Sequence, residues 1–177
     1  MPVVIKNILR FIMFILVQVF VLDQIRVHQM VTPYLYFLFL LWLPFNINRS
    51  VLLLIAFVLG FSLDSFRHTP GFHAAACVLI AYIRPFIINI LIPQEGADNN
   101  YNEPSFQSLG GMLPYMVYAG LLSFIHNVWL FMLESWQFGD IGYFFIKTLF
   151  STAICLLLIL ITELIFPRKQ RFRTNTI

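Results

Sequence analysis

Ile141 to Phe166 reads IGYFFIKTLFSTAICLLLILITELIF, an apolar run whose only charges, Lys147 and Glu163, stand near its two ends. A helix of that length more than covers a hydrocarbon core of about 30 Å, so the stretch reads as a membrane span. Working outward from it, further apolar runs cover 112–133, 70–92, 51–63, 31–45 and 8–22, and short polar segments between them hold most of the charges. Across the 177 residues, 60% are hydrophobic and 11% charged, a balance that a soluble domain of this size cannot hide. The expectation is an all-α polytopic membrane bundle with six transmembrane helices, forming one integral membrane domain over 1–177.

The spans consume nearly the whole chain, which leaves no room for a soluble catalytic or nucleotide-binding module. The net charge of +3 does not point to nucleic acid, because four of the eleven basic residues, Arg168, Lys169, Arg171 and Arg173, lie together in the tail 167–177. That cluster reads as a cytoplasmic anchor on anionic membrane lipids. Cys77 and Cys155 fall inside apolar runs, where a thiol behaves as a small hydrophobe, so neither a disulfide framework nor a zinc site is indicated. Lys6 and Arg10 before the first run resemble a signal peptide, but Asp23-Gln24-Ile25-Arg26 offers no small-residue cleavage site, and the run reads as a retained helix.

With six spans and the N-terminus inside, Lys6, Arg10, Arg49, Arg168, Lys169, Arg171 and Arg173 fall on the cytoplasmic side and only Arg26 and Arg67 outside, seven against two. Both termini are therefore expected in the cytoplasm. The loop from Pro93 to Gly111 is cytoplasmic in this reading although it carries Glu95, Asp98 and Glu103 and no basic residue. Thr32-Pro33 and Thr69-Pro70 have the form of helix starts. The second and third runs are short, and turn chemistry between Pro44 and Ser50 favours a hairpin of two short helices over one broken segment. Pro85 inside the fourth run predicts a kink.

Gly60 and Asp64 share a helical face at the end of the third run, Arg67 lies three residues on, and Gly71 with Ala74, Ala75 and Ala76 opens the fourth. Small residues let two backbones approach closely in lipid, and Asp64 is placed to accept hydrogen bonds from the start of the next helix. Asp64, His68 and His73 carry metal-binding side chains but lack a recognised zinc spacing, and packing is the stronger reading. Ser65 has no G-x-S-x-G setting, so no catalytic residue, metal or cofactor is expected. Among the other ionisable groups in apolar runs, Lys147 and Glu163 are expected to snorkel and His126 to sit neutral within the bundle. Arg84 is balanced between snorkelling and pairing with a carboxylate or a partner protein. Trp42, Trp129 and Trp136 suit an aromatic belt.

Ala56-Phe57-Val58-Leu59-Gly60-Phe61-Ser62-Leu63-Asp64, then Thr69-Pro70-Gly71, then a small-residue helix through Ile80-Ala81-Tyr82, resembles the central signature of the rod shape-determining MreD family. Phe72-His73-Ala74-Ala75-Ala76 looks like the form that the signature takes in Bacteroidetes, and the first helix with Gln18 and the basic tail fit the same plan. The resemblance implies a non-enzymatic scaffold of the bacterial inner membrane, part of the cell-elongation complex that organises lateral-wall peptidoglycan synthesis. Its implied partners are the bitopic protein MreC, MreB filaments, a RodA-type glycosyltransferase and a class B transpeptidase. The family is similar in fold to the substrate-binding subunits of energy-coupling-factor transporters, so the rival function is a small-molecule or lipid-binding transport subunit. The residues to watch are Gly60, Asp64, Arg67, Gly71, His73, Tyr82 and Arg84.

Overall fold

The computed structural model describes residues 3–24, 33–91, 103–134 and 141–166. Among them the chain is all-helical, with five helices long and apolar enough to cross a membrane. They are α1 (Val3–Phe20), α3 (Arg49–Arg67), α4 (Phe72–Leu91), α5 (Met112–Glu134) and α6 (Ile141–Ile165); α2 (Leu38–Leu41) is a single turn. Helices α3, α4, α5 and α6 pack in chain order, and α1 lies against α3 and α2.

The bundle is apolar outside and more polar within, the arrangement that lipid selects. On α6 the buried stripe is Thr148, Ser151, Thr152, Cys155, Ile159 and Glu163, one helical face, while Leu157 on the opposite face is 57% exposed. Helix α5 turns Ser123, His126 and Asn127 inward. Neither helix would expose its leucines and phenylalanines to water at this cost, whereas acyl chains are a matching solvent.

The six-helix expectation is corrected at the run 31–45. Among the described residues of that run, 33–45, the only helix is the single turn α2, and its expected hairpin partner α3 is a full-length helix starting at Arg49 rather than a short one. Instead, Pro33 to Leu43 is buried throughout and passes through the interior of the bundle. It is held by short-range turns such as Leu38 N–H to Leu35 O, 2.9 Å, and Leu40 N–H to Phe37 O, 2.9 Å. The segment runs from Tyr34, whose ring lies under the Arg67 guanidinium at 5.2 Å, to Trp42, whose ring lies 5.3 Å from that of Arg10. Pro33 therefore opens an irregular stretch, and Thr32 lies outside the described residues.

Irregular backbone at membrane depth is tolerated only where protein satisfies its polar groups. Gln18 of α1 does most of this at one end: its Oε1 accepts from Leu35 N (2.9 Å) and Tyr36 N (3.4 Å), and its Nε2 donates to Pro33 O (3.1 Å). Tyr34 N donates to Cys155 Sγ at 3.4 Å. At the other end Tyr118 Oη donates to Leu41 O (3.2 Å) and Arg84 Nη2 donates to Leu43 O. The intramembrane polar residues of the long helices thus serve the backbone of the segment between them.

Candidate functional site

The clearest constellation stands where α3 turns into α4. Helix α3 ends at His68, which adopts the left-handed conformation (φ 56°), and its last turn closes by Thr69 N–H to Asp64 O at 3.1 Å. Gly71 follows at φ +89°, and a Cβ there would meet nothing within 4 Å. Gly71 is thus required by its conformation, not by the close approach expected of it. Close approach belongs to Gly60: a Cβ at that position would lie 2.5 Å from both Ala74 N and His73 O.

Gly71 has no side chain with which to cap α4, and Asp64 supplies the cap from the neighbouring helix. Its carboxylate accepts from Ala74 N at 2.8 Å, His73 N at 3.1 Å, His73 Nδ1 at 2.9 Å, and the Thr69 hydroxyl. Two of the orphan N–H groups of α4 are satisfied, and a negative charge sits at the positive end of the helix dipole. Pro70 precedes α4 instead of occupying its first turn, and Thr69 bonds Asp64 instead of capping directly, which corrects the helix start expected at Thr69-Pro70.

The network continues from His73 to α1. Arg67 Nη1 stands 3.0 Å from His73 Nε2, and since a guanidinium only donates, Nε2 accepts and Nδ1 carries the proton given to Asp64. Arg67 also grips Asp23 with two bonds, Nε to Oδ2 at 2.8 Å and Nη2 to Oδ1 at 2.6 Å, and Asp23 accepts from Gln18 Nε2 at 2.8 Å. One continuous chain, Gln18–Asp23–Arg67–His73–Asp64, therefore links α1, α3 and the start of α4. Sequence reading found Asp64, Arg67, His73, Gly60 and Gly71 but missed Asp23 and Tyr34; the only signal for Asp23 was its acidic character beside the end of an apolar run.

Tyr82 and Arg84 stand apart from this corner, on opposite faces of α4. Tyr82 is exposed, whereas Arg84 is buried (2% exposed) and bonds Leu43 O and Tyr118 Oη, the latter at 3.0 Å. It neither snorkels nor pairs with a carboxylate through any bond among the described residues. Glu163 and Trp42 are likewise corrected. Glu163 is buried and accepts from Trp42 Nε1 (2.9 Å) and the Tyr115 hydroxyl, so it does not snorkel and Trp42 is no belt residue. Arg10 lies close by, bonded to both carboxylate oxygens of Glu103 at 3.1 Å, which ties the acidic loop to α1. Lys147 reaches Glu134 at 3.5 Å and lies over the Phe131 ring.

Deeper in the bundle, Tyr36 Oη and His126 Nε2 are 2.7 Å apart, His126 Nδ1 is 3.3 Å from Asn127 Oδ1, and Asn127 Nδ2 donates to Thr152 Oγ1 at 3.1 Å. Ser65 donates to Phe61 O of its own helix at 2.9 Å, which gives it no base. His68 is exposed at the turn, away from the Asp64–His73 pair, and no group of three or more metal-binding side chains converges among the described residues. Trp136 lies outside the described residues.

The fold and this corner define a helical membrane protein whose polar side chains fix the junctions between helices. Comparison with protein-family models, curated proteins and solved structures gave no match to this chain.

Proposed function

We propose that the protein is a non-enzymatic scaffold of the bacterial cell-elongation complex, of the MreD type, in the inner membrane with both termini cytoplasmic. The observation that carries this reading is that Gly60, Asp64, Gly71 and His73, the centre of the resemblance, gather into one built element, with Tyr82 outside it. Gly60 brings α3 against α4, Asp64 caps α4, and Gly71 makes the turn. The donors and acceptors of Asp64, His73 and Arg67 engage one another and Asp23, so this corner is suited to holding a shape and not to turnover. Its tip, His68 and Pro70, is exposed and available to a partner outside the membrane. Seven basic residues against two support the orientation.

The second reading, a small-molecule or lipid-binding transport subunit, is favoured by Ser123 Oγ, a buried hydroxyl on the inner face of α5 with no hydrogen-bond partner among the described residues. Purification of the tagged full-length chain from native membranes separates the two. Recovery of a bitopic MreC-like protein with a RodA-type glycosyltransferase supports the scaffold. Recovery of a transporter ATPase instead would sink it.

A further inference from the structure

We propose that Arg49 seats the phosphate of an anionic phospholipid against the α3–α4 surface, at the end of the bundle where α3 begins. Among the described basic residues, Arg10, Arg67 and Lys147 are paired with carboxylates and Arg84 is buried against a backbone carbonyl. Arg49 is exposed, and no carboxylate among the described residues lies within ion-pair distance of it. Its guanidinium carbon instead lies 4.5 Å from the centroid of the Tyr82 ring and 5.3 Å from that of Phe86.

Two aromatic rings take the face of a planar cation and leave its N–H edge for another group. A phosphate is the matching group, because its oxygens receive that edge in a bidentate pair. Depth agrees. Helix α3 runs 19 residues from Arg49 to Arg67, a rise of about 28 Å, close to the thickness of the hydrocarbon core. With Arg67 at one boundary, Arg49 falls at the other, level with lipid phosphates, and the positive end of the α3 dipole adds to its charge. The surrounding surface suits acyl chains: Leu54, Phe57, Phe86 and Ile90 of the same two helices are exposed. A cation set alone in an apolar face complements an anionic amphiphile, and a zwitterionic lipid gains less there because its own ammonium competes.

The test uses the full-length protein in nanodiscs of phosphatidylethanolamine containing a minority of phosphatidylglycerol, with lipids retained after detergent release counted by native mass spectrometry. Wild type should retain phosphatidylglycerol above its share of the bilayer, and Arg49→Gln should lower that retention about fivefold, the worth of one cation near the surface. The double variant Tyr82→Leu/Phe86→Leu keeps the charge and removes its seat, and it should also lose retention. Lys6→Gln removes another exposed cation at the same end, without an aromatic seat, and should leave retention unchanged. If Arg49→Gln yields no folded protein, Arg49→Lys serves, which keeps the charge but not the fork and should fall between the two. Equal retention by wild type and Arg49→Gln, equal loss in Lys6→Gln, or retention of both lipids in bilayer proportion would each overturn the site.

Discussion

At Gly60 a single methyl group has nowhere to go. The atoms it would strike belong to the backbone of α4, at Ala74 N and His73 O, and not to a side chain that could swing aside. Gly60→Ala must therefore push the two helices apart, and a cost of about 1–3 kcal/mol is expected, as for overpacking of a tight core. Unfolding in mixed micelles, followed by helical circular dichroism, measures it, and a variant as stable as wild type would remove close approach as the reason for glycine. Asp64→Asn looks conservative until its bonds are counted. Both carboxylate oxygens accept, one from Ala74 N–H and the other from His73 and Thr69, so an amide must turn its NH2 toward a donor whichever way it is flipped. One buried donor is left facing another. A loss of about 1–3 kcal/mol is expected by the same unfolding measurement, with Asp64→Glu unable to restore it because the longer side chain displaces the carboxylate from the helix end.

Among the elements, the segment from Pro33 to Leu43 depends on its neighbours for nearly all that a helix would provide for itself. Gln18→Leu keeps the volume but leaves Leu35 N–H and Tyr36 N–H without their acceptor and Pro33 O without its donor. Hydrogen exchange should accelerate at residues 35 and 36, corresponding to about 1–3 kcal/mol of local opening, while the interior of α4 stays protected. Unchanged exchange at 35 and 36 would mean that Gln18 does not hold the segment. This element also marks the limit of what the sequence discloses. The long apolar runs behind α4, α5 and α6 are legible because an apolar stretch of that length has few alternatives in lipid, and the Gly60–Asp64 spacing discloses a helix face; α3 reads short because its polar last turns, Asp64 to Arg67, fall outside the apolar run. The run 31–45 is apolar too, yet it is apolar because protein surrounds it and not because lipid does, and hydropathy reports those two environments alike. Its abundance of aromatic residues between two prolines, Pro33 and Pro44, was the available hint. The boundary reading of Glu163, and the snorkelling half of the Arg84 reading, fail for the same reason. A charge in an apolar run is assigned to the nearest boundary unless an interior segment offers it a carbonyl or an indole, and that offer is tertiary.

For the whole molecule, the interior segment decides which way the rest of the chain faces. Five long helices alone would put the two ends of the protein on opposite sides of the membrane. The segment from Tyr34 to Trp42 returns from the Asp23–Arg67 end of the bundle to the Arg10 end, so it makes a crossing of its own without being a membrane-length helix. If the segment completes that crossing in the membrane the chain makes six traverses with five long helices, and Met1 and Ile177 are then expected on the same side. Single cysteines placed at those two positions test this with a membrane-impermeant maleimide applied to sealed cells and to inverted vesicles. The natural thiols interfere little, because Cys77 and Cys155 are both fully buried. The expected pattern is protection of both ends in sealed cells and modification of both in inverted vesicles, in keeping with the basic residues Lys6, Arg10 and Arg168 near the two termini. Labelling of the two ends from opposite sides would show that the interior segment does not complete its traverse. In that event the contacts of Trp42 with Arg10 and Glu163 could not all persist in the membrane, because they tie the far end of the segment to the start of α1 and the close of α6.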